Sequence, residues 1–211
     1  MNHLFLRTAL AALAVSSLSL TSCDKDDDTT PGVTPTLEAK TVSNLAPQPA
    51  PTSGSGQPGT PRHYTFFSLA EGKEVPYTDS ASTKWDLAFR GTTILTNGGT
   101  SGPGQGGAQV KTGLFAELTT APDAGYAQDA ATGKAIPTGS GNGWYSYNAT
   151  THIISPIAGR VVVVRTATGK YAKLEVTNYY KDAPATPTET TPSGYYTFRY
   201  VYQPDGSKNL K

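Results

Sequence analysis

The chain has 211 residues, a formal net charge of +1 and only 16% charged residues. That balance offers no basic surface to a polyanion and so excludes nucleic acid as a partner. A single cysteine excludes an internal disulfide framework, and 22 glycines with 16 prolines leave little room for long helices.

Residues 1–22 read as a signal peptide. Arg7 supplies the positive start, and residues 9–20 form an apolar stretch broken only by serines. That stretch is too short to span a bilayer, which takes about 20 residues. It ends at Leu20-Thr21-Ser22-Cys23, an aliphatic residue and two small ones before cysteine, which fits a lipobox. The expectation is cleavage before Cys23 and lipidation of its thiol, which anchors the chain to a membrane. Asp24-Lys25-Asp26-Asp27-Asp28 follows, a solvated acidic run. It also resembles the acidic export signal of Bacteroidota lipoproteins, which implies an outer-membrane location facing the cell exterior.

Residues 23–61 are rich in Pro, Thr, Ser and Gly, as in Gln48-Pro49-Ala50-Pro51-Thr52-Ser53-Gly54. Such a segment buries too little surface to offset the entropy of ordering it, so it reads as a disordered, flexible tether. Within it, residues 36–45 leave room for a short strand or turn.

Residues 62–211 read as one all-β domain of antiparallel sheets and β-hairpins. Past Gly32, no run free of Gly and Pro exceeds 14 residues. The alternating candidates begin with residues 64–69, then residues 85–90, where Trp85, Leu87 and Phe89 are expected to share a face. Residues 113–118 and 144–148 follow. Residues 160–166 hold Val161-Val162-Val163-Val164, apolar on both faces, which predicts a central strand. In residues 170–179, Ala172, Leu174 and Val176 are expected inward, and Lys173 and Glu175 outward. Thr166-Ala167-Thr168-Gly169-Lys170 reads as the hairpin turn before that strand. The last strand, residues 195–203, places Tyr196, Phe198, Tyr200 and Tyr202 on one face.

Gly102-Pro103-Gly104-Gln105-Gly106-Gly107 spells a dinucleotide-binding fingerprint, but no helix start follows it and Pro103 removes an amide. Residues 97–107 read instead as a loop in which backbone passes close to backbone or to a ligand. No nucleophile elbow, no catalytic triad spacing and no zinc-binding spacing is present. The chain therefore reads as a binding protein with no catalytic residues, not an enzyme. His63, His152 and the tyrosines are its binding candidates, although strand tyrosines and the tryptophans Trp85 and Trp144 also serve as core.

Read in order, the domain resembles the HmuY-like family of haem-binding surface lipoproteins of Bacteroidota. The specific stretches are Lys84-Trp85-Asp86-Leu87-Ala88-Phe89-Arg90 and Ser101-Gly102-Pro103-Gly104-Gln105-Gly106-Gly107-Ala108. Tyr64-Thr65-Phe66-Phe67-Ser68, Pro122-Asp123-Ala124-Gly125-Tyr126, Arg160-Val161-Val162-Val163-Val164-Arg165 and Tyr196-Thr197-Phe198-Arg199-Tyr200 support them across residues 62–203.

The resemblance implies an all-β surface lipoprotein that captures haem in an apolar cleft for uptake, with two axial side chains on the iron and delivery to a TonB-dependent outer-membrane receptor. Family ligands fall between the Gly-Tyr segment and the valine strand, here residues 125–159, and are His or Met. The mature chain has no Met, and the position aligned with one ligand holds Ala149. The family's ligand pair does not carry over. The candidates in that region are His152 as the haem-iron ligand, with Tyr126, Tyr145 and Tyr147. The alternative is a surface binding module of the same fold for another small hydrophobic ligand or a protein partner.

Overall fold

A computed structural model describes residues 37–49 and 63–211; the leader, Cys23 and the acidic run lie outside them. The described chain forms eleven strands: β1 (Lys40–Leu45), β2 (Thr65–Ser68), β3 (Lys73–Val75), β4 (Leu87–Arg90), β5 (Thr93–Thr96), β6 (Gly107–Thr112), β7 (Tyr145–Asn148), β8 (Ile153–Pro156), β9 (Arg160–Arg165), β10 (Tyr171–Tyr180) and β11 (Ser193–Gln203). One 3-10 turn lies at Tyr77–Asp79, and no α-helix occurs among the described residues.

Three sheets result, ordered β1-β11-β10-β9-β6, β3-β2-β4-β5 and β7-β8. Every strand pair is antiparallel. The all-β expectation holds. The segment read as tether contributes β1, which pairs with β11 through Lys40↔Tyr200 and Thr41↔Arg199. The short strand allowed for residues 36–45 is therefore an edge of the five-stranded sheet. Leu45, buried in the main core, holds it there.

The main core lies between the two larger sheets. Phe67, Leu87, Phe89 and Ile94 come from one; Val162, Val164, Leu174, Val176, Tyr196 and Phe198 come from the other. Phe89 stacks on Phe198 with ring centroids 5.6 Å apart and meets Tyr196 at 4.8 Å. Both sheets are also covered on their outer faces. Val161 and Val201 pack with Phe115, and Val163 packs with Ala121 and Leu210. β9 sits between β10 and β6 with Val161, Val162, Val163 and Val164 all buried, as a strand apolar on both faces requires.

Double-sided cover accounts for three departures from the sequence reading. Trp85 precedes β4 and packs with Phe66, Val75, Ala88 and Leu95 on the outer face, away from Leu87 and Phe89. Lys173 points outward but is buried, because the segment around Phe115 lies over it: its ammonium donates to the carbonyls of Phe115 (2.8 Å) and Leu118 (2.9 Å). Residues 113–118 are not a strand but that covering turn, closed by the Glu117 amide donating to the Leu114 carbonyl. The strand lies just before it, in β6, where alternation is masked by Gly107 and Ala108.

The glycine loop is a packing device. A side chain on Gly98 would strike the Gly106 backbone, and one on Gly106 would strike Asn97. Asn97 is fully buried, donates to the carbonyls of Ser82 and Trp85 and accepts from the Gly104 amide. The Trp-Asp segment and the glycine loop are therefore one unit.

Candidate functional site

The β7–β8 hairpin brings two of the candidate residues together. Tyr147 lies in β7 opposite Ile154 of β8, and His152 is the last residue of the connecting turn. The Tyr147 Oη lies 2.6 Å from His152 Nδ1. Both side chains are exposed, Tyr147 to 43%. The turn forms because Asn148 accepts from the amides of Thr150 and Thr151, an Asx-type closure. His152 has φ 55°, in the left-handed region, where His is tolerated better than most non-glycine residues. Its Nε2 has no hydrogen-bond partner among the described residues.

Directly opposed residues of an antiparallel pair leave the same face. Tyr147 therefore shares a face with Ile154, which is one wall of a cavity of about 220 Å3 whose lining also includes Pro156, Tyr180, Pro184 and the polar Ser155, Thr177 and Asn178. The cavity exists because β9 pairs with β10 only as far as Leu174, leaving the upper half of β10 without a second ladder. β8 stands beside that free half, tied to it by the Ile154 amide donating to Tyr180 Oη (2.9 Å). A second hollow of about 340 Å3 adjoins through Pro156 and Thr177 and reaches Arg199. Sequence reading did not find this slot; the proline cluster in residues 184–192 is the signal that could have marked it.

The remaining candidates stand elsewhere. Tyr145 is 8% exposed and belongs to the main core, its ring 5.0 Å from Trp144 and its hydroxyl accepting from Thr92. Tyr126 lies on the outer face of the five-stranded sheet against Tyr171, at 5.8 Å. Its hydroxyl is buried without a partner among the described residues, and burial pushes its ionisation far above the ordinary phenol value. The Gly125–Ala127 stretch is held there because Ala127 and Ala108 exchange backbone hydrogen bonds. His63 stacks on Tyr77 at 3.8 Å and lines a separate cavity with Arg90 and Tyr179. Trp144 is core, donating to the Thr92 carbonyl.

No group of three or more His, Cys, Asp or Glu among the described residues has the arrangement of a bare metal site. The donors on the hairpin are one imidazole nitrogen and one phenol oxygen, beside a slot lined by Ser155, Thr177 and Asn178 as well as by Ile154 and prolines. That set suits a ligand that brings most of its own coordination and needs one axial donor. An iron tetrapyrrole is one such group.

The HmuY protein family model matches residues 61–200. The chain belongs to the HmuY family. Its match begins just before β2 and includes the Trp-Asp segment, the glycine loop and the β7–β8 hairpin. Among solved structures, the chain is similar to a Tannerella forsythia apo HmuY analogue, with 18% identity, 80% of this chain and 96% of that chain covered, and a TM-score of 0.48. It is also similar to a protein described as a HmuY-like haem-binding protein from Bacteroides vulgatus, with 21% identity, 66% and 85% covered, and a TM-score of 0.44. A protein described as a lipoprotein from Bacteroides fragilis gives 18% identity, 67% and 86% covered, and a TM-score of 0.42. No curated protein matches the chain.

Proposed function

We propose that this HmuY-family chain is a haem-binding lipoprotein of the outer-membrane surface, without catalysis, and that haem meets it at the β7–β8 hairpin. The observation that carries the reading is the open Nε2 of His152, paired through Nδ1 with Tyr147 on a hairpin whose second strand walls a slot of mixed polar and apolar lining. His152 would hold the iron through Nε2. Ile154, Pro156 and the prolines beyond β10 offer apolar surface to the porphyrin. Haem would supply the iron and its four ring nitrogens, and the protein one nitrogen donor. Lipid on Cys23 tethers the domain, and a TonB-dependent receptor takes the haem onward.

Titration of the full-length protein with ferric haem tests this. A saturable, red-shifted Soret band at one haem per chain is expected, together with the five-coordinate ferrous spectrum of a single strong axial ligand. Replacing His152 should abolish the shift. A spectrum equal to that of haem with an inert carrier protein would overturn the reading. A second reading, a surface module of the same fold for a different apolar ligand, is favoured by one observation: no second His or Met accompanies His152 on the hairpin.

A further inference from the structure

The 2.6 Å contact between Tyr147 Oη and His152 Nδ1 couples the two side chains. We propose that Tyr147 is a positioning residue for His152: its oxygen accepts the Nδ1 proton and so leaves Nε2 as the unprotonated donor. This rests on the haem reading above and deepens it.

The chemistry follows from the two ring nitrogens. A neutral imidazole carries one proton. If it sits on Nε2, that nitrogen has no lone pair to offer. If it sits on Nδ1, Nε2 is a donor. The Tyr147 hydroxyl can donate to Nδ1 or accept from it; in the proposed arrangement it accepts, which selects the second tautomer and, as outer partners of ligating histidines do, strengthens the opposite nitrogen as a donor. The backbone of Tyr147 is fixed in its turn. It lies in a paired strand, and its own amide donates to the Ser140 hydroxyl at 2.8 Å. His152, by contrast, sits at a turn with a left-handed backbone, and among the described residues only Tyr147 has a hydrogen bond or ring contact with its ring. Without Tyr147 the imidazole keeps its position in the chain but loses its tautomer preference and its orientation.

The backbone also supplies a clean control. At φ 55° glycine fits better than histidine, so His152→Gly removes the imidazole without straining the turn. Free imidazole can then serve as the replacement donor.

Three measurements on the full-length protein decide the matter. First, nitrogen NMR of the His152 ring without haem reads the tautomer directly. Wild type should show a predominantly Nδ1-protonated ring, and Tyr147→Phe should shift it towards the other form. An unchanged ring would overturn the proposal whether or not haem binds. Second, haem affinity should fall about 10-fold in Tyr147→Phe, the lower end of what a lost outer partner costs a metal site. The ferrous iron–histidine stretch should move to lower frequency and the reduction potential should rise. A structural role alone would change neither. Third, haem binding lost in His152→Gly should return with added imidazole, and Tyr147 should no longer matter there. If Tyr147→Phe instead removes the whole ferric spectrum while His152→Gly retains it, the phenol is the iron ligand and the assignment is reversed. If wild type binds no haem but the NMR result holds, the tautomer clamp stands and the haem reading fails.

Discussion

Asp86 accepts a hydrogen bond from the amide of Ala167, 81 residues further along the chain and 3.0 Å away. Its other oxygen accepts from the Leu69 amide at 2.8 Å. One buried carboxylate thus joins the β2–β3 turn to the β9–β10 turn. Burial pushes its carboxyl above the ordinary carboxylate range, with the amide bonds pulling the other way. This is why an acid follows the tryptophan here: two amides from distant turns need two acceptor oxygens on one side chain.

Asp86→Asn should therefore destabilise the fold by about 1–3 kcal/mol, because an amide nitrogen replaces one acceptor and orphans a backbone N–H. Denaturant unfolding at neutral pH measures it. No loss of stability would mean that the two turns are held by their own hydrogen bonds alone.

Gly106→Ala should cost about 1–3 kcal/mol or more, since a methyl there meets the Asn97 backbone, which the sheet holds fixed. Haem affinity of the folded fraction should not change. None of the residues touched by the glycines of residues 98–107 belongs to the β7–β8 hairpin. A selective loss of haem binding at unchanged stability would place the loop at the site.

Lys173 is 3% exposed, and desolvation, helped by the nearby Arg199 charge, lowers its ammonium pKa. The folded chain thus binds fewer protons than the unfolded chain between that lowered value and the unfolded value near ~10.4. Stability must rise with pH across this alkaline window; the cost is fully present below it. Lys173→Met should remove the rise. It should still destabilise at neutral pH by about 1–3 kcal/mol, because the Phe115 and Leu118 carbonyls lose their donor. Unfolding measured across pH 8–11 checks both parts.

Leu174→Ala should cost about 2–5 kcal/mol, the range for a fully buried leucine between two sheets. His63→Ala should leave haem affinity unchanged, since its ring stacks on Tyr77 and lines a different cavity. Thermal unfolding and haem titration, respectively, decide these two.

Much of the sheet was readable locally. β9, β10 and β11 announce themselves because runs such as Val161-Val162-Val163-Val164 and Tyr196-Thr197-Phe198-Arg199-Tyr200 have period-two or continuous apolar patterns that only a covered sheet satisfies. The hairpin turn at Thr166 is equally local, closed by the Thr166 amide donating to the Lys170 carbonyl. β6 was hidden because Gly107 and Ala108 carry too little side chain to register as a buried face. Residues 113–118 misled for the opposite reason: Phe115 and Leu118 look like one face of a strand, yet they cover a sheet from outside.

The site divides along the same line. His152 is identifiable from the chain as the only histidine between Gly125 and Gly159. Tyr126, Tyr145 and Tyr147 were equivalent there, because a tyrosine's hydroxyl and ring are the same in core, on an outer face or on a hairpin. Composition and periodicity determined an all-β domain, and the resemblance carried by the motifs supplied the HmuY-like reading and the region to search for a ligand. Only the tertiary structure decided that β1 joins the sheet, that Lys173 is buried, and that Tyr147 alone of the three reaches His152. Those depend on which segments far apart in sequence lie over one another, and an alternation of period two records that a face is covered without recording by what.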